Sequence, residues 1–331
     1  MIIEKVVGPA GVTWAQSNKT DGAWTSLCVT PTGRIIASTN SNGIFYSDDN
    51  GVNWTQSDKT DSRWTSLCVT LTGRIIAGGY SDNSIWYSDN NGVNWTLLYS
   101  INSPWTSLCV TPTGRIIAGS NGSGIYYSDD NGVNWRQSDK TKGKWNSLCV
   151  ASTGRIIAGG YGGSGGYGIW YSDNSGVTWA QSYKGDNTWS SLCVASAGRI
   201  IAGGAGGNGN GIWYSDDNGM NWVRSNKTDG AWYSLCITST GRIIAGEFET
   251  GIWYSDDNGV NWVQSNKTNG WWGSLYVTPT GRIIAGSYNN DGICYSDSEI
   301  QLECPKYLDQ NGAQEIVTQF QAYCNSLVGG A

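Results

Sequence analysis

Tyr46-Ser47-Asp48-Asp49-Asn50-Gly51-Val52-Asn53-Trp54 returns as Tyr87–Trp95, Tyr127–Trp135, Tyr171–Trp179, Tyr214–Trp222 and Tyr254–Trp262. The skeleton shared by these stretches is Ser-x-(Asp/Asn)-x-Gly-x-x-Trp. A further copy is split between the ends of the chain. Tyr295, Ser296 and Asp297 begin it, and Gly11-Val12-Thr13-Trp14 supplies its second half. A repeat whose halves stand at opposite ends implies a ring closed by its own termini.

Around each copy the same parts recur. Trp24 to Thr30 alternates and is rich in β-formers, so it reads as a strand. Pro31-Thr32-Gly33 is a turn signal. Arg34 to Ala37 reads as a second strand, Ile44 to Ser47 as a third and Val52 to Gln56 as a fourth. Asp48 to Gly51 between the last two is a tight turn, where Asp and Asn bond their own backbone and Gly takes positive φ. The units begin at Trp24, Trp64, Trp105, Trp145, Trp189, Trp232 and Trp272. A four-stranded unit of roughly 40–45 residues has the period of a propeller blade. The expected fold is therefore all-β, a seven-bladed β-propeller over 11–298, closed by an N-terminal strand at 12–16. The pattern stops in 299–331. There Ile316, Val317, Phe320, Tyr323 and Leu327 share a helical face, which predicts a short helical tail over about 312–327 docked on the propeller. Cys304 and Cys324 in this tail are able to bridge.

Composition narrows the function. The 331 residues carry a net charge of −6 and no basic run, which argues against nucleic acid as a partner. No apolar run approaches the length of a membrane span. Met1 to Val7 contains Glu4 within too short an apolar stretch to read as a signal peptide, and the compartment stays open. The chain has no histidine. That excludes Ser-His-Asp and Cys-His catalysis and a His-ligated metal.

The skeleton resembles the BNR or Asp-box repeat family, over roughly residues 11–298. The resemblance implies that the box is a structural turn between the third and fourth strands of a blade. It leaves function open, because that family includes sialidases, other glycan-active proteins, sorting receptors and assembly factors.

Two residue types recur in every unit. Arg34, Arg74, Arg115, Arg155, Arg199, Arg242 and Arg282 stand in Gly-Arg-Ile-Ile-Ala, and Asp48, Asp89, Asp129, Asp173, Asp216, Asp256 and Asp297 open the box turn. Strand order puts both on one rim and predicts an Arg–Asp pair within each blade or between neighbours. Seven equal copies point to a structural role rather than the substrate-carboxylate grip of a sialidase. Cys28, Cys68, Cys109, Cys149, Cys193 and Cys236, with Tyr276 in the last unit, predict a ring of buried thiols near the axis. No metal or cofactor is expected. The box lacks the terminal glutamate and twelve-residue spacing of a calcium loop.

The units differ in the loops between strands two and three and in the connectors between blades. Both open on the rim opposite the boxes, and a constant rim facing a variable one is the layout of a binding scaffold. Trp86, Trp170, Trp213, Trp253 and Trp271, with Tyr80 and Tyr161, are the candidate ligand contacts there. Flat aromatic faces among Asn, Asp and Gly suit sugar rings, although packing between blades accounts for the same tryptophans. The first functional reading is thus a non-enzymatic, multivalent, lectin-like propeller with a glycan or glycoprotein partner. The alternative is a protein-interaction or structural scaffold. A glycosidase comes third, since Glu247 and Glu249 are the only glutamates in a variable loop and no carboxylate pair spans a cleft. The Arg-Ile-Pro motif implied by a sialidase resemblance is also absent.

Overall fold

The computed structural model describes residues 6–7, 10–101, 103–161, 167–185, 187–195, 198–206, 211–289, 291–296 and 300–301. Among them every regular element is a strand. Pro9–Ser298 forms one compact unit. Met1–Gly8 and Glu299–Ala331 form a second. Of the second, the described part is a two-residue ladder pairing Val6–Val7 with Ile300–Gln301. The expected helix over 312–327, Cys304 and Cys324 lie outside the described residues.

In the first unit the strands form antiparallel meanders in sequence order. Five are separate four-stranded sheets. One eight-stranded sheet comprises two more, joined at their edges by Asn121↔Lys144 and Gly122↔Gly143. The meander that begins at Trp24 runs Trp24–Val29, Ile35–Thr39, Ile44–Ser47 and Thr55–Gln56. The sequence reading starts the fourth strand at Val52, but Val52 to Trp54 remain in the box turn. Outer strands of two residues leave little unpaired edge for another chain to add to. The longest outer strand is Thr96–Ser100.

The box turn is held by its own side chains. Asn50 and Gly51 take φ of 59° and 89°. Ser47 Oγ accepts from Gly51 N at 2.9 Å and meets Asp49 Oδ1 at 2.9 Å. Asp49 Oδ1 accepts from Asn53 N at 2.8 Å, and Trp54 Nε1 donates to the Gly51 carbonyl at 3.0 Å. Burial alone would raise the Asp49 carboxyl, but the bonds from Asn53 and Ser47 outweigh it and hold it below the ordinary carboxylate value.

The split copy is rebuilt from both ends. Ala15–Gln16 pairs with Tyr295 and Cys294 and completes the sheet of Trp272–Val277, Ile283–Ser287 and Ile293–Ser296. Gly11 N donates to Ser296 Oγ at 2.8 Å, as Gly51 N does to Ser47. Asp297 itself lies outside the described residues.

Packing between meanders repeats one layer. Cys28, Ile36 and Ile44 of one meet Trp64, Leu67, Ile75, Ala77 and Trp95 of the next. Ile284 and Ile293 of the last meet Trp24, Leu27, Ile35, Ala37 and Trp54 of the first, so the layers run full circle. The first-strand tryptophans, Trp24 to Trp272, are all 0–1% exposed. The Asp-box tryptophans share the same layers.

Candidate functional site

On the box rim every recurring arginine is engaged. Arg34, Arg74, Arg115, Arg155, Arg199 and Arg242 hold both oxygens of Asp48, Asp89, Asp129, Asp173, Asp216 and Asp256 at 2.6–2.9 Å. Their Nη1 atoms reach across to a box carbonyl of the adjoining meander. Arg34 reaches Asn91 O at 3.1 Å, and Arg242 reaches Ala10 O at 3.0 Å. Arg282 does the same to Asn50 O at 2.9 Å. Each guanidinium also stacks on a box tyrosine, Arg34 on Tyr46 at 4.2 Å. These side chains link pairs of meanders and leave no fork free for a ligand.

The first strands of all the meanders surround an axial channel. Its middle, about 210 Å³, is lined by their serines and leucines. The end toward the box rim, about 590 Å³, is lined by Cys28, Cys68, Tyr276, Pro31 and Pro279 among others. Burial pushes the thiols up, Cys109 and Cys193 to about 12, so they stay protonated.

The opposite end opens into a mouth of about 420 Å³. Local structure explains which residues reach it. A β-bulge interrupts each first strand just after its tryptophan, at Thr25, Thr65, Thr106, Asn146, Ser190, Tyr233 and Gly273. A bulged residue is re-aimed out of the alternation, here toward the axis. The residue before that tryptophan pairs with the one ending strand two, as where Tyr80 N donates to Arg63 O at 2.7 Å and Tyr288 N to Trp271 O at 2.7 Å. Residues at these three positions make up the lining of the mouth, and they differ from repeat to repeat.

One side of the mouth is aromatic. Trp271 meets Tyr288 at 4.2 Å between ring centroids, Phe248 at 4.8 Å and Tyr233 at 5.0 Å. Burial, then Tyr161 and Tyr288, raise the Tyr233 phenol above its ordinary value. The mouth also carries Arg63 and Lys144. The Arg63 guanidinium lies 3.9 Å above Tyr80, and its Nη2 meets Tyr288 Oη at 3.3 Å. Asn121 Nδ2 donates to Tyr80 Oη at 2.8 Å. Arg63 Nε, Asn121 Oδ1 and Trp271 Nε1 are buried without a hydrogen-bond partner. Buried polar atoms are normally satisfied, so three orphans around one cavity mark a place where a ligand or water completes the bonding.

The sequence-derived candidates divide. Tyr80, Tyr161 and Trp271 line the mouth. Trp86, Trp170, Trp213 and Trp253 do not. They stand on third strands, half-buried and edge-on to Trp64, Trp145, Trp189 and Trp232 at 6.3–6.4 Å. Lys59, Lys140, Lys184 and Lys227 sit over their other faces at 3.0–4.1 Å. A sugar stacking there must displace a lysine. Sequence reasoning missed Arg63, Asn121, Lys144, Tyr233, Phe248 and Tyr288. Their shared signal is position: each flanks an invariant strand and differs from its counterparts.

The BNR/Asp-box repeat model matches residues 45–56 and 126–137. No match to a curated protein is found. Solved structures of similar fold include virginiamycin B lyase from Staphylococcus aureus, 13% identical with a TM-score of 0.69, covering 86% of this chain and 98% of that one. A streptogramin B lyase is 14% identical with a TM-score of 0.70, over 88% and 100%. YCF48 bound to D1 peptide is 16% identical with a TM-score of 0.68, over 88% and 98%. At such identities the likeness is one of fold.

Proposed function

The chain is a BNR/Asp-box repeat protein with a propeller fold, and from that premise we propose that it is a non-enzymatic binding propeller of seven blades whose ligand seats in the axial mouth opposite the boxes. One observation carries this. The repeats are nearly uniform in layers, boxes and Arg–Asp staples, and they are not uniform at the residues that line the mouth. A scaffold needs only the uniform part, whereas a single asymmetric site needs what the mouth has. Catalysis by a carboxylate pair finds no support among the described residues, where no Asp or Glu lines the mouth. The lyases of similar fold lend their architecture alone.

A peptide or protein ligand is the leading reading. An aromatic wall beside cationic and amide groups is the composition of a protein-binding hot spot, and YCF48 is a propeller of similar fold bound to a peptide. Lectin-like binding is the second reading. It is favoured by Trp271 sharing the mouth with Asn121 and Asn146. It now concerns one site rather than several equal ones.

The test uses peptide and glycan arrays with the wild type, Trp271→Ala and Trp213→Ala. Binding lost in Trp271→Ala and kept in Trp213→Ala supports the mouth. The reverse pattern returns the site to the outer tryptophans and refutes the proposal.

A further inference from the structure

We infer that the mouth is a receptor for the carboxylate end of a peptide chain whose last side chain is apolar or aromatic. This rests on the binding reading above and specifies its ligand.

Charge is the first observation. The protein carries a net charge of −6, yet among the described residues the lining of the mouth includes Arg63 and Lys144 and no carboxylate. Glu247, the acid next to the aromatic wall in sequence, is turned into its own loop. It accepts from Thr250 Oγ1, from Thr250 N at 2.6 Å and from Ala231 N at 3.3 Å. Two cations concentrated in a concave site of an acidic protein select an anion. A neutral sugar or a cationic segment gains nothing from them.

The orphaned atoms give the shape of that anion. Arg63 Nε is a buried donor with no acceptor, on a guanidinium whose Nη2 and face are already fixed by Tyr288 and Tyr80. A fixed fork with a free donor suits a carboxylate oxygen. Trp271 Nε1 is a second buried donor. Asn121 Oδ1 is a buried acceptor, with its amide nitrogen committed to Tyr80 Oη at 2.8 Å. A ligand that brings an N–H close to its negative charge answers the donors and the acceptor together. The last residue of a peptide does this, with its carboxylate one carbon from its amide N–H. Sulfate and chloride, which carry no donor, offer no such pairing. The third feature is the wall of Tyr233, Trp271 and Tyr288, backed by Phe248, which an apolar side chain can cover. Arg63, Tyr80, Asn121 and Tyr288 are linked to one another before any ligand arrives, so little ordering remains to be done on binding.

The test is an array of random hexapeptides, each presented as a free acid and as its C-terminal amide. The best pairs, and any hits from the glycan array, are then titrated by calorimetry against the full chain, Trp271→Ala, Arg63→Gln and Lys144→Gln, in low and in 0.3 M salt. The expected result is a free acid binding at least tenfold tighter than its amide. Higher salt narrows that gap, and Arg63→Gln closes it while retaining the wild-type melting temperature. Acid and amide binding equally well through Trp271 overturns the inference and leaves the binding mouth intact. Glycan binding at Trp271 with no peptide binding also overturns it. No Trp271-dependent binding of either class overturns both.

Discussion

Replacing Arg34 by alanine removes three contacts at once, and their sizes can be separated. The pair with Asp48 is short, at 2.6 and 2.8 Å, but Asp48 is 61% exposed. Solvent screening limits it to about 0.5–1 kcal/mol. The bond from Nη1 to the Asn91 carbonyl, at 3.1 Å, is part-buried and charge-assisted, worth about 1.5 kcal/mol. Stacking on Tyr46 at 4.2 Å adds about 0.5 kcal/mol. The sum is about 2.5–3 kcal/mol, or roughly 5 °C in melting temperature for a chain of this size. Scanning calorimetry beside Asp48→Asn checks the partition. The asparagine variant keeps the bond to Asn91 and should lose under about 1 kcal/mol. High salt should reduce only the Asp48 component. An Arg34→Ala protein as stable as the wild type, or an Asp48→Asn loss equal to it, would refute the view that this arginine joins neighbouring meanders.

Gly51→Ala should cost about 1–3 kcal/mol, because φ is 89° and the new Cβ meets Ile284 Cδ1 at 2.6 Å. Urea melts give the value, and an unchanged midpoint would count against the turn geometry. Cys109 and Cys193 stand near 12 in the fold against an ordinary 9.0. Folding thus favours their neutral form. That contribution is complete below about pH 9 and drains away between 9 and 12, as the unfolded chain loses protons that the folded one keeps. Stability measured across this window should fall less steeply in Cys193→Ala, at the more buried of the two thiols, than in the wild type; equal slopes would mean that this thiol is not buried.

The legible features were the local and repeated ones. A nonapeptide with Asp, Asn and Gly at fixed offsets dictates a turn wherever it stands, and its period dictates a four-stranded unit. The divided copy at the termini anticipated the strand Ala15–Gln16 joining Ile293–Ser296. The fourth strand was read too long, because the tryptophan closing the box looks like a strand residue. Its indole in fact bonds back to Gly51.

The outer tryptophans and the mouth were harder to read. In sequence, Trp86 and Trp271 are equally aromatic and equally near a variable loop. One lies beneath Lys59 on a third strand, and the other stands beside the axis. Distance from the axis depends on which strand is innermost and on the bulge that redirects one side chain per blade. No window of forty residues contains that information.

The sequence by itself determined the strands, the box turns, the closure by the N-terminal segment and the charge that disfavours nucleic acid, since each depends on residues close together or on composition. Only the tertiary structure brought Arg63, Asn121, Lys144, Tyr233 and Trp271 to one cavity. They come from separate units up to 208 positions apart, and only packing of the units around a common channel makes them neighbours.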